Sequence, residues 1–80
     1  SALDPFTTSS ILKLLKQINE KLGVTIVIIT HQIDVVRSIC DRVAVIDNAS
    51  IAEQGKTAEV FENPSSTITK QLLGRVDWNA

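Results

Sequence analysis

Three features of this 80-residue chain predict an α/β fold with element order α-β-α-β-β-α-α. Apolar residues recur at helical spacing over residues 5–22, an unbroken strand-like run fills 25–30, and a second such run, RVAVID, follows one short helical stretch. A strand, a helix and a strand in that order predict a parallel, right-handed βαβ crossover.

Asp4-Pro5 marks the start of the first helix, since Asp can accept from free backbone N–H groups and Pro suits the first helical position. Ile11, Leu14, Leu15, Ile18 and Leu22 form one stripe, with Lys13, Lys16, Gln17, Glu20 and Lys21 opposite. Gly23 is expected to stop this helix as a left-handed cap. The run TIVIIT has no polar alternation, the pattern of a strand covered on both faces. A helix is expected over residues 33–41, with Ile33, Val36, Ile39 and Cys40 inward and Asp34 and Arg37 one turn apart outside. The second strand is RVAVID.

Beyond it, DNAS carries turn chemistry and IAEQG alternates as a return strand, giving a hairpin at the sheet margin. A tight type I′ turn would want Gly where Ala49 stands, so a longer or different turn is expected. TAEVFENP predicts a short capped helix ending before Pro64, and SSTITKQLLG a helix from a Ser cap to Gly74. Residues 75–80 read as a tail or the start of a linker, leaving 1–74 as the structured part. A fully covered strand such as TIVIIT wants two neighbours and only one can be found, so a partner strand is expected outside the chain.

Composition narrows the function. Eighty residues hide only about 60% of their unfolded surface, yet the apolar share is 44%, which points to missing neighbours. A net charge of −1 and three dispersed aromatics offer neither a basic field nor a stacking platform, so no nucleic-acid partner is expected. The single Cys40 excludes an internal disulfide and a Cys-based metal site; no metal ligands are assigned. No signal-like leader or bilayer-length apolar run is seen, and a soluble protein is expected.

His31, the only histidine, stands just past the carboxyl end of an expected parallel strand, where ligands of open α/β sheets bind. It could exchange a proton or hydrogen-bond a phosphate oxygen there. On position alone the plainer reading comes first: it occupies the first turn of the next helix, with Thr30 as cap. Asp4 has the same two readings, as helix cap or functional residue. Cys40 fits a buried apolar stripe.

Taken in order, SALDP, TIVIITH, DRVAVIDNASIAEQG and EVFENP resemble the final segment of the ATP-binding subunit of ABC transporters, over nearly the whole chain. DVVRSICDRVAVID and EVFENP look most like bacterial methionine-importer ATPases. The resemblance implies the C-terminal part of a P-loop NTPase core. By it, Ser1, Ala2, Leu3 and Asp4 match the D-loop, which faces the second subunit of an ATP-sandwich homodimer. His31 matches the switch histidine that reaches the γ-phosphate and helps hold the attacking water. The implied activity is ATP hydrolysis that powers a membrane importer for methionine or another amino acid. The implied partners are a second ATPase subunit, transmembrane permease subunits and, indirectly, a solute-binding protein, at the cytoplasmic face of the bacterial inner membrane.

ATP and Mg2+ would serve the intact protein. The phosphate-cradling Gly-rich loop, the LSGGQ signature and the magnesium aspartate have no counterpart here, so the chain alone is expected to be inactive and to bind neither. Gln32 replaces a common acidic residue and Ala49 the usual turn glycine. The alternative is a non-catalytic remnant or interaction module that self-associates through an open sheet edge.

Overall fold

The computed structural model describes residues 4–74. The chain divides into two compact units that meet between His31 and Gln32 in sequence. Six elements occur in the order α1 (Pro5–Leu22), α2 (Ile33–Ile39), β1 (Arg42–Asp47), β2 (Ser50–Lys56), α3 (Thr57–Glu62) and α4 (Thr67–Leu72).

The first unit is α1 and the segment after it. Asp4 caps α1: its carboxylate accepts from the Thr7 N–H and the Thr7 hydroxyl, both at 2.8 Å. Pro5 fills the first helical position, and Gly23 closes the helix at φ 67° with its N–H on the Asn19 carbonyl, as the sequence predicts. The Asn19 side chain then donates to the Val24 carbonyl at 2.6 Å, fixing the exit of the chain. No residue of α1 is buried, and Phe6, Leu14 and Leu22 stand largely exposed.

Residues 25–30 depart from expectation. They alternate between exposed and half-buried positions, yet they form no strand. A strand is defined by ladder hydrogen bonds, and no backbone hydrogen bond joins 25–29 to another described residue. The parallel βαβ crossover is therefore not formed, and the expected order becomes α-α-β-β-α-α. The pattern specified the side chains of a covered strand but could not supply its partner.

The second unit is built on an antiparallel hairpin of β1 and β2. Asp47 pairs with Ser50, leaving a two-residue turn in which Asn48 and Ala49 both have positive φ, 52° and 62°. This is the type I′ geometry expected to be disfavoured. The twist of paired strands selects it, Asn48 tolerates it, and Ala49 bears the strain. Between Val45 and Ile46 the register shifts by one, so Ala52 is an extra residue on β2. Without that bulge Ile51 would share a face with Glu53 and Gly55; with it, Ile51 pairs with Ile46, and both are exposed.

The core lies on the other face. Val36 of α2 and Val60 and Phe61 of α3 are buried together, with Ile33, Cys40, Val43 and Leu73 packed around them. The Arg37 guanidinium sits 5.3 Å from the centre of the Phe61 ring, adding a cation–π contact across α2 and α3. Helix α2 stops at Ile39, because Cys40 takes an extended conformation, two residues short of the expected end. Its N-cap is Gln32, not Thr30. The cap expected for the TAEVFENP helix is also absent: Lys56 is the N-cap of α3 and makes no side-chain cap bond. Thr57 is buried, and its hydroxyl has no hydrogen-bond partner among the described residues.

Candidate functional site

His31 follows directly on the extended segment and precedes the N-cap of α2. The Gln32 carbonyl accepts from the Val35 and Val36 N–H groups at 3.2 and 3.4 Å, so the N-cap directly follows the histidine and the helix starts two residues after it. His31 itself is exposed. An imidazole serving only to fill a core would be buried, so exposure favours a role facing outward over a packing role. Either ring nitrogen can donate or accept, which suits a phosphate oxygen or a water molecule.

Asp4 is the second candidate within the described residues. Its carboxylate is engaged by Thr7, and the backbone N–H of Thr7, followed by its hydroxyl, lowers the Asp4 pKa from the ordinary 3.8. Asp4 thus acts as a helix cap here, with both carboxylate oxygens turned to Thr7. Ser1, Ala2 and Leu3, the remaining candidates at this position, lie outside the described residues.

The most tightly bonded polar group lies elsewhere, and sequence reasoning missed it. Glu53 stands on the inward face of β2, opposite buried Val45. Its carboxylate accepts from the backbone N–H groups of Ser65 and Ser66 and from both serine hydroxyls, at 2.9–3.2 Å. The Ser66 hydroxyl also caps α4 by accepting from the Thr69 N–H, and it lies 2.6 Å from the Thr69 hydroxyl. Burial raises the Glu53 pKa, but the bonds from Thr69, Ser66 and Ser65 outweigh it and hold the group down at about 2. This cluster fastens the hairpin to α4. The sequence signal was a Ser-Ser pair at a helix start, but its acceptor lies twelve residues upstream in register with the core.

Among the described residues, no group of three His, Cys, Asp or Glu side chains stands close enough to hold a metal ion. His31 can offer one phosphate contact, but the described residues provide no carboxylate set for Mg2+. No described helix is long and apolar enough to cross a membrane.

No protein-family profile matches the chain. Individual proteins do. The chain is 57% identical over 76 residues to the methionine import ATP-binding protein MetN 1 of Oceanobacillus iheyensis, covering 95% of this chain and 22% of that protein. It is 62% identical to the methionine import ATP-binding protein MetN of Mesorhizobium japonicum, over 95% of this chain and 21% of the relative. With the same-named protein of Mannheimia succiniciproducens it shares 56% over 73 residues, 91% of this chain and 21% of the relative. The chain spans about a fifth of the length of these relatives.

Proposed function

We propose, from the premise that this chain is homologous over nearly its whole length to one segment of methionine import ATP-binding proteins, that it is the phosphate-sensing segment of an importer's ATPase subunit. The observation that carries the reading is the exposure of His31 at the junction between the extended segment and α2. There the imidazole can hydrogen-bond the terminal phosphate of ATP and hold a water in line with it. Water attacks the γ-phosphorus as the bond to the β–γ bridging oxygen breaks, and ADP leaves with that oxygen. Phosphoryl transfer asks for positioning and charge stabilisation, to which one well-placed donor contributes.

Mg2+ supplies neutralisation of the β- and γ-phosphate charge when bound. No step through the metal is assigned to this segment, because its described residues hold no fitting ligand set. Ser1, Ala2, Leu3 and Asp4 form the D-loop facing a second ATPase subunit. The subunit works against transmembrane permease partners, fed by a solute-binding protein, at the cytoplasmic face of the inner membrane. Residues 1–74 belong to the nucleotide-binding domain and 75–80 to a tail.

The test places this chain in the full-length Oceanobacillus iheyensis relative, in place of its matching segment. The chimera is expected to hydrolyse ATP, and its His31→Ala variant to lose about a hundredfold or more in kcat, the range for removing one transition-state donor. Equal turnover with and without the imidazole would overturn the reading. The 80-residue chain alone is expected to show no Mg-ATP binding by calorimetry, and micromolar binding would count against the assignment.

A further inference from the structure

We infer that Phe61 is a positioning residue for His31, acting through α2; the inference rests on the reading of His31 as the group that contacts the terminal phosphate. Gln32, bonded directly to His31, is the N-cap of α2, with φ −90° and ψ 106°. Its carbonyl accepts from the Val35 and Val36 N–H groups, so the residue next to the histidine is held by the first turn of the helix. Val36 is in turn the residue that α2 buries, against Val60 and Phe61 of α3. A peptide bond, a hydrogen bond and an apolar contact thus lead from the backbone of His31 to the aromatic ring.

Helix α2 has seven residues, too few to be ordered by its own hydrogen bonds, so its pose is set by what its apolar face meets. That surface is α3. Ile33, two residues after His31, packs on the same cluster as Val36, and the Arg37 guanidinium lies 5.3 Å from the centre of the Phe61 ring. The ring therefore meets an apolar and a cationic side chain from successive positions of α2, which fixes the rotation of the helix about its own axis as well as its seating. Beyond the last turn, the Cys40 N–H donates to the Val36 carbonyl at 3.0 Å and the Asp41 carbonyl accepts from the Thr57 N–H at 2.9 Å. Helix α3 thus holds α2 along its buried face through Phe61 and at its exit through Thr57.

An imidazole that orients a water against a phosphate works within a narrow geometry, and a displacement of about 1 Å transmitted from a distant residue can cost up to about a hundredfold in rate. A contact made chiefly in the transition state shows in kcat and leaves KM for ATP nearly unchanged. Loosening α2 on α3 is expected to have that signature.

The test uses the full-length chimera. Phe61→Leu keeps an apolar filler and removes the ring face under Arg37; kcat is expected to fall roughly ten- to a hundredfold, with KM for ATP within about twofold and a cooperative thermal transition retained. Arg37→Gln, at an exposed position, removes the cation alone and is expected to lower kcat roughly two- to fivefold, while Arg37→Lys restores a cation and turnover with it. The deciding measurement is a double-mutant cycle with His31→Ala. In that background Phe61→Leu and Arg37→Gln are expected to cause no further loss of kcat, because a residue acting through the imidazole has nothing left to place. Losses that multiply in both backgrounds overturn the inference and confine Phe61 to holding the domain together, and an unchanged kcat in Phe61→Leu overturns it as well. Should Phe61→Leu fail to fold, the Arg37 pair decides, and equal turnover of Arg37→Gln and Arg37→Lys overturns the inference. A His31→Ala chimera as fast as the unsubstituted one removes the phosphate-contacting role and this inference with it. A slow His31→Ala beside fully active Phe61 and Arg37 variants removes this inference alone.

Discussion

The Glu53 carboxylate accepts two hydrogen bonds from Ser66, one from its backbone N–H and one from its hydroxyl, each at 2.9 Å. Ser66 is the N-cap of α4, so an ionised side chain on the inward face of β2 answers the free N–H groups at the start of a helix. Hydrogen bonds to a charged acceptor contribute about 1.5–3 kcal/mol, and Glu53→Gln is expected to lower stability by about 2 kcal/mol. The urea midpoint measures this.

The same bonds set a pH dependence. The folded-state pKa of Glu53, about 2, lies below the ordinary 4.5, so the unfolded chain binds the proton more readily. The stabilisation is complete above pH 4.5 and is lost as pH falls from there toward 2. Glu53→Gln is expected to flatten the urea midpoint over that window relative to wild type. A wild-type profile as flat as the variant's would contradict the assigned role.

How much of this was legible in the sequence follows from the range of each interaction. The caps of α1, Asp4 and Gly23, rest on partners three or four residues away and were read correctly. The Ser cap of α4 is equally local. Glu53 and Ser66 are thirteen residues apart and meet only because a bulge at Ala52 sets the register, which propensity does not encode. The strand expected at 25–30 failed for the complementary reason: its side-chain pattern is local, but its ladder must come from another segment. His31 was legible as the residue between an extended run and a helix, while the phosphate contact proposed for it cannot be read from these eighty residues alone.

Ala49 carries the turn with φ 62°, a conformation that costs an L-residue roughly 1 kcal/mol. Ala49→Gly is expected to stabilise the hairpin by about that amount, since Asn-Gly is the preferred type I′ pair. Thermal unfolding followed by circular dichroism reads the shift, and a lower midpoint would argue that the turn relaxes to another type in solution.

Thr57 is 6% exposed, and its hydroxyl has no partner among the described residues, while its N–H donates to the Asp41 carbonyl at 2.9 Å. An unpaired buried hydroxyl costs about 1–3 kcal/mol in lost hydration. Thr57→Val keeps the shape and the backbone bond and is expected to gain about 1 kcal/mol. Thr57→Ser keeps the hydroxyl and removes a methyl, so it should lose stability; the opposite order would mean that the hydroxyl finds water.

Asp4 allows cap and D-loop roles to be separated by one atom. Asn caps helices as well as Asp does, so Asp4→Asn keeps an oxygen for the Thr7 N–H while removing the charge. Helix content of the 80-residue chain should therefore be unchanged by Asp4→Asn at neutral pH and reduced by Asp4→Ala. The lowered pKa of Asp4 means that the wild-type cap weakens only as pH falls below its ordinary 3.8, whereas the Asn cap has no such dependence. In the full-length chimera the D-loop reading expects Asp4→Asn to lower ATP turnover with the helix intact. Wild-type turnover in that variant would reduce Asp4 to a cap and leave subunit coupling to other residues.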